Sequence, residues 1–154
     1  MNYIIDFFTN EILVSAIMGW AVAQLLKTIL HLYVTKEFVA ERLVGTGGMP
    51  SSHSATVCGL ATAVGINYGL GSVEFALAGV LAIIVMYDAL GVRRETGRQA
   101  KVLNEMLDYF TSVGKKMTAQ ERLKEFVGHT PLQVIVGAII GIGLAFLVCL
   151  VIFK

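Results

Sequence analysis

The sequence predicts an all-α integral membrane helical bundle, with about four transmembrane helices and an amphipathic helix in the 92–130 connection. Composition is the first indication: 56% of the 154 residues are hydrophobic, and the mean hydropathy of +0.74 is too high for an ordinary soluble domain. Second, four stretches are long and apolar enough to cross a hydrocarbon core of about 30 Å, which takes roughly 20 helical residues. Third, the 16 glycines are spread through those stretches, as in closely packed membrane helices. Two prolines and no low-complexity linker argue for a single membrane-embedded domain over 1–154.

The elements follow in chain order. Tyr3, Ile4, Phe7 and Phe8 suggest a short interfacial piece. The start lacks the basic region of a signal peptide, so no cleavage is expected. The first span, about 11–34, is the least pure, since it holds Gln24, Lys27 and His31. The second and third are about 52–70 and 73–91. The fourth, about 132–153, carries no charge from Leu132 to Phe153. In the polar connection, Val102, Leu103, Met106, Leu107, Phe110 and Val113 share one helical face, opposite Arg98, Lys101, Asn104, Glu105 and Asp108. That helix is expected at the membrane surface or against the bundle. Cys58 and Cys149 lie in different apolar segments and read as small core residues. Gly65/Gly69 and Gly137/Gly141 have the four-residue spacing of close helix contacts.

Charge sets the expected topology. Lys36 and Arg42 follow the first span, and eight further cations lie in 92–130, whereas the other side holds only Lys154. The positive-inside rule places both basic loops in the cytoplasm and both termini outside, in a multi-pass cell-membrane protein. His53, Asp88, His129 and Lys27 then all come to the cytoplasmic face.

Two strings place a histidine where a polar loop meets an apolar helix: Gly47-Gly48-Met49-Pro50-Ser51-Ser52-His53-Ser54 and Val127-Gly128-His129-Thr130-Pro131-Leu132-Gln133. A helix start offers unpaired N–H groups and a positive dipole end, both of which attract phosphate. A histidine there can transfer protons or attack phosphorus. Glycine, proline and serine are explained by a loop and cap alone. His53 is not, because an imidazole is costly in an apolar helix start.

Asp88 is unusual near the end of a span, and a salt bridge to Arg93 or Arg94 is its plainer reading. Arg93 and Arg94 fit a phosphate clamp or a basic flank equally, while Arg98 and Lys101 read as ordinary flank. Lys27 stands about seven residues inside its helix, with Gln24 one turn earlier, which suits an anion ligand between helices. No GxxxxGK[ST], CxxC, HExxH or EF-hand pattern occurs, so no metal and no cofactor are expected. An aromatic-basic surface for nucleic acid is missing too.

These strings resemble the type-2 phosphatidic acid phosphatase and vanadium haloperoxidase superfamily, specifically its small divergent bacterial and plastid branch. Pro50-Ser51-Ser52-His53 is similar to that family's Pro-Ser-Gly-His block, with Ser52 in place of glycine. Gly128-His129 through Gln133 is similar to the end of its third block. The similarity to the divergent branch also takes in Lys27, GGMPSSHSA and the Asp88–Gln99 string. The resemblance implies a helical bundle and a metal-independent phosphomonoesterase with a phosphohistidine intermediate. His129 would attack phosphorus, and His53 would protonate the leaving alkoxide and then activate water; Asp88 joins them as a catalytic candidate. Lys27, Arg42 and Arg93 or Arg94 would neutralise phosphate oxygens, with backbone N–H groups near Ser51 and Ser52.

The sequence also departs from the pattern. The first block is not preserved around Arg42, and Glu121 and Arg122 do not match the start of the third. Gln133 stands where the superfamily has the aspartate that orients the nucleophile; such a change in a protease triad costs about 10⁴ in kcat. Gln133 itself, Glu125 or Glu95 are the candidates for an orienting group, and Asp88 is a further source of a carboxylate. The leading expectation is a lipid-phosphate phosphatase acting at the cytoplasmic leaflet, its substrate drawn from the bilayer. The alternative is a catalytically silent binder or transporter of phospholipid or phosphate using the same cationic pocket. A vanadate peroxidase fits a membrane chain poorly, and a purely structural protein would not need the two histidines and Lys27 to meet. Four spans could leave the site incompletely walled, so a homodimer is a further expectation.

Overall fold

A computed structural model describes residues 2–37, 39, 45, 47–113, 123 and 128–154. Among them the regular structure is helical: α1 Tyr3–Phe8, α2 Glu11–Thr35, α3 Ser52–Tyr68, α4 Val73–Leu90, α5 Val92–Ser112 and α6 Pro131–Leu147, whose last turn widens into a π-helical segment, Val148–Ile152. Each long apolar run begins on a side chain that caps its exposed N–H groups: Asn10 for α2, Ser51 for α3, Ser72 for α4 and Thr130 for α6.

Among the described residues, three helical stretches are long and apolar enough to cross a bilayer: Glu11–Thr35, a window within Val73–Ser112, and Pro131–Ile152. The stretch expected at 52–70 is helical as well, but α3 has 17 residues, about 25 Å at 1.5 Å per residue. It packs against α2, α4 and α6 and is the central helix of the bundle. Its neighbours shelter it from lipid, so a short helix with four polar residues in its first five is tolerated.

Small residues hold α3 in place. Along α2, Ser15, Gly19, Ala23 and Lys27 are buried at every fourth position, and along α6 the buried stripe is Val134, Gly137, Gly141 and Ala145. A methyl group on Gly19 would lie 2.6 Å from the Ala55 carbonyl oxygen. One on Gly137 would collide with the Ser51 carbonyl, and one on Gly141 with that of Ala55. In lipid, where apolar contact with a tail is as good as with a leucine, this close backbone approach is what holds helices together. The Gly137/Gly141 expectation therefore matches. Gly69 does not belong to such a pair: its φ of +84° ends α3, and a methyl group there would meet nothing within 4 Å.

The amphipathic helix forms as α5, with a division that apolar periodicity does not predict. Gly97, Ala100 and Asn104 are its buried residues, while Val102, Leu103, Met106, Tyr109 and Val113 are exposed. At 100° per residue the exposed apolar stripe lies roughly opposite the buried one, with Arg94, Arg98, Lys101 and Glu105 on a third face. Small residues let α5 approach its neighbours, and its large apolar residues are left exposed.

Candidate functional site

Main-chain hydrogen bonds bring the two histidine strings together. The Ser51 N–H donates to the Gln133 carbonyl at 3.0 Å, joining the start of α3 to the first turn of α6. The His129 N–H donates to the Ala89 carbonyl at 3.1 Å, tying the approach to α6 to the end of α4. Gly128 lies so close to the Arg94 backbone that a Cβ would collide with it. Under these restraints the rings of His53 and His129 meet edge to face, their centroids 5.9 Å apart.

His129 is 2% exposed, and its surroundings select one tautomer. Thr130, Pro131 and Gln133 form the first turn of α6 as a capping box. The Thr130 N–H donates to Gln133 Oε1 at 3.0 Å. An N–H can face only an acceptor, so that terminus of the amide is oxygen. The same oxygen lies 3.2 Å from His129 Nδ1, which must therefore carry hydrogen. Nε2 is left as the basic nitrogen. Burial is the main cause that holds the His129 pKa below the usual 6.5; Lys27 and Arg93 lower it further, while the hydrogen bonds to Gln133 and the Gly48 backbone oppose them.

Cations surround the pair. Lys27, 3% exposed, donates from Nζ to Gln24 Oε1 at 2.6 Å and to the Gly45 carbonyl at 3.3 Å. Gly48, at φ +82°, lies along the Lys27 stem, where a methyl group would stand 3.4 Å from Cγ. Arg93 Nε donates to Asp88 Oδ2 at 2.6 Å, so Asp88 makes the helix-end ion pair. Lys27, Arg93, Asp88 and His129 all act electrostatically on His53. The His53 Nδ1 is buried without a hydrogen-bond partner among the described residues.

The other expected residues fall as follows. Ser51 is fully buried; its N–H goes to Gln133, and its hydroxyl accepts from the Ser54 N–H and hydroxyl at 3.3 and 3.0 Å. It serves the junction instead of offering a donor. The N–H groups of Ser52 and His53, next in α3, have no acceptor within the helix. Arg94 borders the site beside Gly128. Glu95 pairs with Arg98 at 2.6 Å on an exposed face of α5. Arg42 and Glu125 lie outside the described residues. Among those residues no group of three His, Cys, Asp or Glu is gathered to hold a metal ion.

Sequence reasoning missed Thr130 and Gly128, although Thr-Pro-Leu-Gln is a readable capping-box pattern. It also missed two cavities that meet beside His129. One, about 480 Å³, is mostly apolar and runs from Lys27, Gly48 and Gln133 past Leu30, Val34 and Met49. The other, about 280 Å³, lies along Arg94, Gly97, Arg98 and Lys101 and reaches Gly128 and His129.

The sequence profile described as the divergent PAP2 family matches residues 8–144. A relative from Bacillus subtilis (strain 168), called uncharacterized membrane protein YuiD, is 38% identical over 146 residues, covering 89% of this chain and 92% of its own. No solved structure matches.

Proposed function

The chain belongs to the divergent PAP2 family, and we propose that this membrane protein is a metal-independent phosphomonoesterase acting on lipid phosphates from the cytoplasmic leaflet. The observation that carries this reading is the imidazole pair with its tautomer selected: rings 5.9 Å apart and His129 Nδ1 on the shared Gln133 oxygen. Neutral His129 presents the Nε2 lone pair, as a nucleophile toward phosphorus requires. Gln133 is the positioning residue that replaces a carboxylate.

In the first step Nε2 forms the N–P bond while the P–O bond to the alkoxide breaks. His53, protonated beforehand, gives its proton to that oxygen and becomes neutral. In the second step His53 takes a proton from water as the hydroxide attacks phosphorus. The N–P bond breaks, phosphate leaves and both imidazoles return to their starting states. Lys27 and Arg93 stabilise charge on the non-bridging oxygens, which is where phosphoryl transfer needs it. Asp88 sets the position of Arg93 through their ion pair. Ser52 and His53 add helix-start N–H groups.

The apolar cavity supports a lipid substrate. Leu30 and Val34 line it and are exposed on α2, on a face where the bilayer would supply hydrocarbon. A tail lying there places its phosphate beside Lys27 and Gln133. The excess of Lys and Arg in 92–130 supports the cytoplasmic orientation.

Phosphate release by the purified protein, compared with His53→Ala and His129→Ala, tests the reading. His129→Ala should lose turnover and the phosphohistidine; His53→Ala should lose about 10²–10⁴ in kcat, the usual size of a general-acid contribution. Equal activity in all three proteins refutes the assignment. Binding of lipid phosphate with neither turnover nor a phosphohistidine would instead establish the silent binder, which the amide at Gln133 favours.

A further inference from the structure

We infer that Asn104 is a positioning residue for His129: its side-chain amide clamps the main chain of Leu123, six residues ahead of the imidazole, and so sets where that ring comes to rest. The role rests on the reading of His129 as nucleophile given above, and adds to it a residue of α5 that acts through the main chain.

Asn104 is 3% exposed, in a helix whose other buried residues are Gly97 and Ala100. A buried amide is costly unless its polar atoms are paired. Here Nδ2 donates to the Leu123 carbonyl at 2.9 Å, and Oδ1 accepts from the Leu123 N–H at 3.1 Å. The amide thus meets the donor and the acceptor of one residue together, as a neighbouring strand would. Two such bonds fix direction as well as distance. The Leu123 side chain is 45% exposed, so its packing is a weak anchor and the main chain carries the attachment.

Leu123, Gly128 and His129 are anchored in reverse order along α4 and α5. Asn104 holds Leu123, the Arg94 backbone meets Gly128, and the Ala89 carbonyl accepts from the His129 N–H at 3.1 Å. Arg94 and Asn104 are ten residues apart, about 15 Å along the axis of α5. The five steps from Leu123 to Gly128 reach at most about 18 Å. Little slack separates the two anchors, so release of the first is felt at the second. Tolerance at the ring is small too. His129 Nδ1 lies 3.2 Å from Gln133 Oε1, the upper end of the N–H···O range, and a further displacement of a few tenths of an ångström weakens the bond that selects the tautomer.

The test compares wild type, Asn104→Ala and Asn104→Asp in detergent micelles by two readouts. One is steady-state phosphate release from a short-chain lipid phosphate; the other is the ring nitrogen-15 resonances of His129, which report its tautomer without turnover. Asn104→Ala should lower kcat about 10²-fold, the loss expected when a reacting group is displaced by about 1 Å, with KM changed by about twofold at most. Its His129 resonances should move from the Nδ1–H form toward a mixture of tautomers. Asn104→Asp keeps both bonds when its carboxyl is protonated and only the acceptor when ionised, so its rate relative to wild type should rise as pH falls. Should the alanine variant fail to fold, the aspartate variant carries the test. An unchanged kcat, a lower kcat with the His129 resonances of wild type, or an Asn104→Asp ratio that stays flat or drops as pH falls overturns the positioning role. Absence of turnover in wild type, with resonances still moved by Asn104→Ala, removes the phosphatase reading and leaves Asn104 positioning that imidazole, so the two failures are distinguishable.

Discussion

Replacing Gln133 by leucine removes one oxygen that two N–H groups share, at 3.0 Å from Thr130 and 3.2 Å from His129 Nδ1. The Nδ1–H, in a residue 2% exposed, would lose its acceptor. A buried donor left unsatisfied costs about 1–3 kcal/mol. If that cost falls on the productive tautomer, kcat drops by roughly 5- to 150-fold. The pH dependence separates this role from a structural one. The Gln133 hydrogen bond raises the His129 pKa against burial, Lys27 and Arg93, which lower it. The nucleophile must be neutral, so activity falls as pH drops through that pKa, and wild type should show its acid limb below pH 6.5. Gln133→Leu should move the limb lower. Gln133→Glu, which keeps the acceptor and adds a negative charge beside the ring, should move it higher. The assay is initial-rate phosphate release from a short-chain lipid phosphate in micelles, across about pH 4.5–8. Limbs that coincide in the three proteins, or that move together in one direction, refute the orienting role.

Other outcomes follow from the same geometry. Lys27→Met should lower kcat/KM by about 10²–10³, the usual loss when one preorganised charge partner of a transition state is removed; a change under threefold in steady-state rates would exclude Lys27 from the phosphate site. Leu30→Trp, which fills the apolar cavity, should depress turnover of long-chain lipid phosphates and spare a short-chain analogue; equal effects on both would show that tails do not lie there. Gly141→Ala pushes a methyl group into the Ala55 carbonyl and should destabilise the bundle by about 1–3 kcal/mol. Gly143→Ala, where nothing lies within 4 Å, should be nearly neutral; comparable thermal denaturation of the two variants would contradict the packing described for α3 and α6.

Much of the frame was legible because bilayer thickness and capping chemistry are local constraints. The 11–34 and 73–91 runs become α2 and α4, and 132–153 becomes α6 with its π-helical end, no boundary moving by more than one residue. The histidine strings could be singled out because imidazole is expensive in an apolar helix start. The faces of α5 were not legible. Both lipid and protein satisfy an apolar stripe, so periodicity alone does not say which of them Val102 and Met106 meet. The face of α5 that packs inward is made of small residues, Gly97 and Ala100, and carries almost no hydropathy signal. Long-range main-chain pairings, such as His129 to Ala89, leave no mark in residue type at all. Gln133 was visible as a missing carboxylate; that its oxygen serves Thr130 and His129 together emerged only from the turn geometry.

The ties from Ser51 to Gln133 and from His129 to Ala89 run through peptide groups alone. Either imidazole can thus be deleted without removing a strut that seats the other. Single-histidine variants should retain an undisturbed half of the site, and whatever rate they keep measures the chemistry of the surviving ring rather than damage to its support.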